Sequence, residues 1–142
     1  PIRLVVAGRG TQQANVEARA EQLGVCDRVH FAGTVDDDTL LELYSGALAV
    51  VYAPFDEDYG YVTLEAFLAR KPVVTAADSG GPLEFVESGV NGVVCEPAPA
   101  VIAGAVNRYA ADRRLAAAHG EAGYSRASLV TWDGVIERLL AW

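Results

Sequence analysis

The chain has 142 residues, enough for one compact α/β domain with a single core. Its 51% apolar and 21% charged composition belongs to a folded segment, not a disordered one. A net charge of −8 argues against a nucleic-acid partner, whose phosphates call for clustered Lys and Arg. It also means that any bound diphosphate must be held by local devices instead of the overall field. No apolar run approaches the roughly 20 residues that span a bilayer, and no signal pattern opens the chain, so a cytoplasmic setting is expected. Cys26 and Cys95 lie far apart without metal-ligand spacing, so both are expected as buried or half-buried free thiols, with no metal site.

Apolar runs and helical patterns alternate along the chain. Residues 2–7 (IRLVVA) read as a buried strand ending at Gly8, and residues 11–23 as a helix stopped by Gly24. Residues 29–32 form a second strand ending at Gly33. Asp36 or Asp37 can cap a helix through Tyr44, with Leu40, Leu41 and Leu43 as its apolar surface. Residues 48–52 make a third strand closed by Pro54, followed by a helix over residues 60–69 and a strand over residues 72–76. A short helix begins near Pro82 and a short strand covers residues 92–95. Helices then start at about Pro99, Asp112 and Trp132, with Trp132 and Trp142 expected to anchor the last one by burial. Five strands with intervening helices predict a Rossmann-like, doubly wound parallel sheet with helices on both faces. Ligands of such sheets bind beyond the carboxyl ends of the strands, here residues 8–11, 33–35, 54–61 and 78–81.

Among these rim segments, Gly8-Arg9-Gly10 follows a strand, yet the third glycine of a dinucleotide fingerprint falls on Gln13 and no ribose-binding acid ends the second strand. The glycines make a tight turn that lets a ligand approach the backbone. Residues 55–65 (FDEDYGYVTLE) are richer in chemistry. The backbone amides of Gly60, Tyr61 and Val62 lie at a helix start, where unpaired donors and the helix dipole favour an anion. Gly60 removes a side chain that would hold a phosphate off. Glu57 precedes that helix and Glu65 lies one turn inside it. Two carboxylates flanking a phosphate cradle suit a ligand with hydroxyls on both sides of a diphosphate. Spacing alone leaves a second reading open, in which Glu65 is a solvated helix residue and Glu57 part of an acidic loop with Asp56 and Asp58. In Asp78-Ser79-Gly80-Gly81-Pro82-Leu83-Glu84 the favoured reading is helix capping, with Glu84 reaching back. The alternative is a backbone wall near a ligand. His30 and His119 have no evident catalytic partner, so no triad is assigned.

Taken in order, these segments resemble the C-terminal, donor-binding half of family 4 glycosyltransferases, retaining enzymes of GT-B architecture. The resemblance runs through Val5-Val6-Ala7-Gly8-Arg9-Gly10, through Val29-His30-Phe31-Ala32-Gly33-Thr34-Val35 with Leu40, Leu43 and Tyr44, and through Glu57 and Glu65. It continues with Pro72-Val73-Val74-Thr75, Gly80-Gly81, Glu84, Val86, Gly89, Gly92 and Trp132. It implies transfer of a hexosyl group from a nucleotide-diphosphate sugar to an acceptor hydroxyl with retention, as in polysaccharide or glycoconjugate biosynthesis. The implied roles are Glu57 at the donor sugar as the catalytic residue, Gly60, Tyr61 and Val62 at sugar and diphosphate, and Glu65 on the ribose hydroxyls. Gly33, Thr34 and Val35 would approach the base, with Gly8 and Gly10 on the donor side. No metal or other cofactor is implied, because basic side chains and the helix N-terminus neutralise the leaving diphosphate.

Two positions depart from the pattern: Asp58 replaces the usual glycine after the first glutamate, and Arg70 replaces a small residue before the Pro-Val-Val strand. The family's diphosphate-gripping Arg and Lys, its acceptor-binding N-terminal domain and the first strand of this half would precede residue 1. With Pro1-Ile2 running straight into a strand and no methionine present, residues 1–142 are expected to be a piece of a longer polypeptide, inactive by itself. The expected partners are the nucleotide sugar, an acceptor glycan or lipid-linked acceptor, and that N-terminal domain, with any membrane association arising only through absent parts. The competing readings are a nucleotide-sugar 2-epimerase-like domain and a non-catalytic nucleotide-binding module.

Overall fold

The computed structural model describes residues 2–141 and alternates strands and helices throughout. It divides into two compact units, residues 1–43 and 44–142.

In the first unit β1 (Leu4–Ala7) leads to α1 (Gln13–Gln22), a 3-10 turn (Cys26–Arg28), β2 (Val29–Gly33) and the start of α2 (Asp37–Gly46). β1 and β2 pair in parallel, Leu4 opposite Val29, with the register slipping between Val6 and Ala7. Gly24 stops α1 as the sequence predicts. It takes a φ of +65°, its amide bonds Glu21 O at 2.9 Å, and the Val25 amide bonds Ala20 O at 3.0 Å. These are the two reversed bonds of a Schellman end. Of the two candidate caps for α2, Asp36 serves: its Oδ1 accepts from the Thr39 amide at 2.9 Å, and Thr39, through its side chain first and its amide second, holds the Asp36 carboxyl below the usual value. The expected burial of β1 is corrected, since Leu4 is 49% and Val5 42% exposed. A ladder of two strands cannot enclose both faces of either one.

In the second unit α2 ends and β3 (Val50–Val51), α3 (Tyr61–Leu68), β4 (Val73–Ala76), a 3-10 turn (Gly81–Glu84) and β5 (Gly92–Cys95) follow. Three helices close it: α4 (Pro99–Ala111), α5 (Arg113–Ala127) and α6 (Trp132–Leu140). The strands form a parallel ladder in the order β3-β4-β5, and central β4 is buried along its whole length. Both of its faces are covered, so Val73-Val74-Thr75-Ala76 is buried throughout and shows no apolar–polar alternation. Val74 packs with Ala105, Tyr109 and Ala116 of α4 and α5. α5 approaches α3 through Gly123, where a β-carbon would overlap the ring of fully buried Phe67, and Gly120 packs on the Arg70 backbone just beyond it. Asp112 caps α5, its Oδ1 accepting from the Arg114 and Leu115 amides at 3.0 Å each.

The α/β class and the parallel pairing agree with the expectation. The strands pair in parallel ladders of two and three. Strand patterning counts strands but does not say which edges exchange hydrogen bonds. The helix expected near Pro82 is a single 3-10 turn. Trp132 does not anchor α6, being 81% exposed, because the apolar stripe of that helix is not covered by the described residues. Trp142 lies outside them. Cys26 is exposed, not buried, while Cys95 is half-buried as expected. No described helix is long and apolar enough to cross a membrane.

Candidate functional site

The second unit carries the richest arrangement, at the carboxyl end of β3. The chain leaves β3 with the Tyr52 amide still bonded to Val74 O at 2.9 Å, then runs beside the loop that leaves β4. The Asp56 amide donates to Asp78 O at 2.9 Å and the Glu57 amide to Ser79 O at 3.1 Å, while Glu57 O accepts from the Gly81 amide at 2.6 Å. Asp56 turns this corner at a φ of +48°, a conformation that Asp tolerates. Glu57 is therefore fixed by main-chain bonds on both sides before its side chain engages anything.

Both glycines of the β4 loop are required by that contact. A β-carbon on Gly80 would lie 2.8 Å from the Glu57 nitrogen, and one on Gly81 would lie 2.6 Å from the Tyr59 carbonyl oxygen. This corrects the capping reading of residues 78–84. Ser79 is fully buried, and its Oγ accepts from the Ala76 amide at 3.2 Å; the following turn has no side-chain cap. The loop instead packs against Glu57's own segment.

Gly60 caps α3 at a φ of +78° and is buried. A β-carbon there would meet Pro82 Cγ at 2.7 Å and Tyr52 Cε1 at 3.3 Å. The glycine is thus demanded by backbone conformation and by Pro82, whatever a ligand requires. Tyr61 and Val62 follow as the first helical residues, whose amides have no intrahelical acceptor. Tyr61 is 70% exposed and stacks against Tyr59, which in turn meets Phe85 edge-on. Asp58, where the family pattern has glycine, is exposed and needs no unusual backbone angle, since the positive φ values fall on Asp56 and Gly60.

The two glutamates each hold a tyrosine hydroxyl. Tyr44 Oη donates to Glu65 Oε2 at 2.8 Å and Tyr52 Oη to Glu57 Oε2 at 3.2 Å. Burial, and then the bond to Glu65, push the Tyr44 hydroxyl far above its ordinary value of 10.0. Burial, and then the charge of Glu57, raise Tyr52 as well. Sequence reading missed both tyrosines. Tyr44 follows a leucine-rich helical run and Tyr52 ends an apolar strand, so nothing in their spacing marks them as polar partners.

The other expected residues lie in the first unit. Gly8 turns at a φ of +106°, and its amide donates to Gly33 O at 2.7 Å, joining the ends of β1 and β2. Gly8 and Gly10 line an open cavity of about 280 Å³ with Arg9, Gln13, Val16 and Phe31. Gly33 takes a φ of +65° beneath the Arg9 side chain, and Thr34 and Val35 lead from it into α2.

Comparison with known proteins places this chain in a family. The model of "Glycosyl transferases group 1" matches residues 1–126. An uncharacterized glycosyltransferase of Methanocaldococcus jannaschii is 40% identical over 111 residues, which are 78% of this chain and 28% of the relative. Human alpha-1,3/1,6-mannosyltransferase ALG2 is 33% identical over 133 residues, 88% of this chain and 32% of the relative. Among solved structures, Anabaena HepE in complex with UDP superposes with a TM-score of 0.83 at 28% identity, over 99% of this chain and 40% of that one. The chain spans about a third of the length of the curated relatives it matches. Its fold is that of one half of a GT-B glycosyltransferase, and the chain belongs to the group 1 family of glycosyl transferases.

Proposed function

We propose that this chain supplies the nucleotide-sugar donor site of a retaining hexosyltransferase. The observation that carries the reading is the arrangement around the start of α3: unpaired amides at Tyr61 and Val62, with Glu57 tied down before the helix and Glu65 one turn inside it. The HepE structure with bound UDP and the mannosyl transfer named for ALG2 support donor and reaction class.

In this reading the amides at residues 60–62 take the diphosphate, where the helix dipole favours negative charge. Glu65 takes the ribose hydroxyls through charge-assisted hydrogen bonds. The bond from the anomeric carbon to the diphosphate breaks, and the pair of electrons leaves with the phosphate. The acceptor oxygen bonds to that carbon on the same face and gives its proton to the departing phosphate oxygen. Positive charge develops at the anomeric carbon, and the fixed carboxylate of Glu57 stabilises it as it forms.

The test is transfer from UDP-glucose and GDP-mannose by the full-length protein. Glu57→Ala should abolish transfer, and donor should raise the melting temperature of the unaltered protein. Unchanged kinetics in Glu57→Ala would defeat the reading.

A further inference from the structure

The donor site has two residues beyond the paired glutamates. Tyr44, at the end of α2, is only 9% exposed, and its hydroxyl reaches Glu65 across 21 positions of sequence. Tyr52 sits at the mouth of β3 with its ring against the Gly60 backbone and its hydroxyl on Glu57. A carboxylate only accepts hydrogen bonds, so each tyrosine is the donor and must stay protonated to hold its partner. The raised hydroxyls of both tyrosines keep them so. The four groups act on one another: the charge of Glu65 bears on Tyr52 as well as on Tyr44. Among the described residues, each tyrosine engages Oε2 of its glutamate, and Oε1 of neither glutamate has a side-chain partner.

A free glutamate side chain samples several rotamers and must lose that freedom when it binds a ligand. A side chain already held at one oxygen has lost it beforehand, which is preorganisation. We propose that Tyr44 and Tyr52 are positioning residues of this site, fixing Glu65 and Glu57 so that the second oxygen of each carboxylate is presented to ligand hydroxyls. The assignment rests on the donor-site reading above.

The two tyrosines should be separable in kinetics. Glu65 is assigned to ribose, which is bound alike in ground and transition state, whereas Glu57 is assigned to charge that appears only in the transition state. Tyr44→Phe should therefore weaken nucleotide binding and raise the donor KM roughly three- to tenfold, the loss of one hydrogen bond, with kcat unchanged. Tyr52→Phe should lower kcat by a similar factor and leave nucleotide affinity unchanged.

The experiment uses the full-length protein. UDP, GDP and ADP are titrated calorimetrically, and release of nucleoside diphosphate from UDP-glucose, GDP-mannose and ADP-glucose is followed at steady state. Glu57→Ala, Glu65→Ala and the melting temperature of every variant are measured in parallel. The split described above supports the proposal. Wild-type constants in both Phe variants, with losses in both Glu variants, would overturn it and leave the donor site standing. Equal losses in affinity and kcat that follow a lowered melting temperature would also overturn it, by making the tyrosines structural. Unaltered Glu variants, or no binding of any of the three diphosphates, would remove the donor-site reading and the assignment with it.

Discussion

The Gly81 amide donates to the Glu57 carbonyl at 2.6 Å, and this bond joins the loop after β3 to the loop after β4. Through it, the position of one glutamate depends on glycines more than twenty residues away in sequence.

Gly81→Ala should therefore lower stability by about 1–3 kcal/mol, because its methyl group would press into the Tyr59 backbone, which cannot swing aside. Gly104→Ala in α4 is the control. Its β-carbon meets nothing within 4 Å, so better helix propensity should stabilise by about 0.5–1 kcal/mol. Thermal or urea melts of the two variants should move in opposite directions.

The Tyr44–Glu65 bond predicts non-additivity. Glu65→Ala leaves the buried Tyr44 hydroxyl without its acceptor, at a cost of about 1–3 kcal/mol, while the double variant Tyr44→Phe, Glu65→Ala leaves no orphan. The double variant should be more stable than the sum of the singles by about 0.5–1.5 kcal/mol in a double-mutant cycle. Additive losses would mean that the bond contributes nothing in solution.

A second polar pair is buried away from the site. Tyr109 Oη lies 2.8 Å from His119 Nδ1, His119 is 5% exposed, and Tyr109 is fully buried. Burial, then the charge of Arg108, lower the imidazole from its ordinary 6.5, against a bond to the Gly89 backbone that raises it. The unfolded chain thus takes up this proton more readily than the folded one. The contribution of His119 is complete above pH of about 6.5 and is lost as pH falls from there through the lower folded value. Urea midpoints measured from pH 8 downward should decline in that window, and His119→Gln should flatten the decline. Burial also pushes the Tyr109 hydroxyl up to about 12, so it stays protonated through this range.

Arg70 occupies the left-handed position after α3, at a φ of +58°, where glycine is the common choice. Its guanidinium stacks 3.8 Å above the Tyr124 ring and pairs with Glu121, contacts that offset the backbone strain. Arg70→Ala keeps the strain and loses the contacts, so it should destabilise by about 1–2 kcal/mol. Arg70→Gly loses the contacts and the strain together and should lie within about 0.5 kcal/mol of the parent. Calorimetric melts of both variants would decide.

The sequence by itself determined the alternation of strands and helices, the stop of α1 at Gly24, a helix starting at about Asp112 and the family to which the chain belongs. These are legible because helix periods, caps and turn glycines act within a few residues of themselves, and because an ordered set of motifs identifies a family even when each motif is weak. It also directed attention to residues 55–65, through a strand end, a glycine and two carboxylates in one short stretch. Only the tertiary structure decided that tyrosines hold those carboxylates, that Gly60 answers to Pro82, and that Gly80 and Gly81 answer to the backbone of residues 56–59. It alone divided the strands into two ladders and left the Trp132 side of α6 exposed. All but the Tyr52–Glu57 bond, which spans five positions, depend on which distant residues meet, and contacts across 20 or more positions leave no period or spacing in a single sequence.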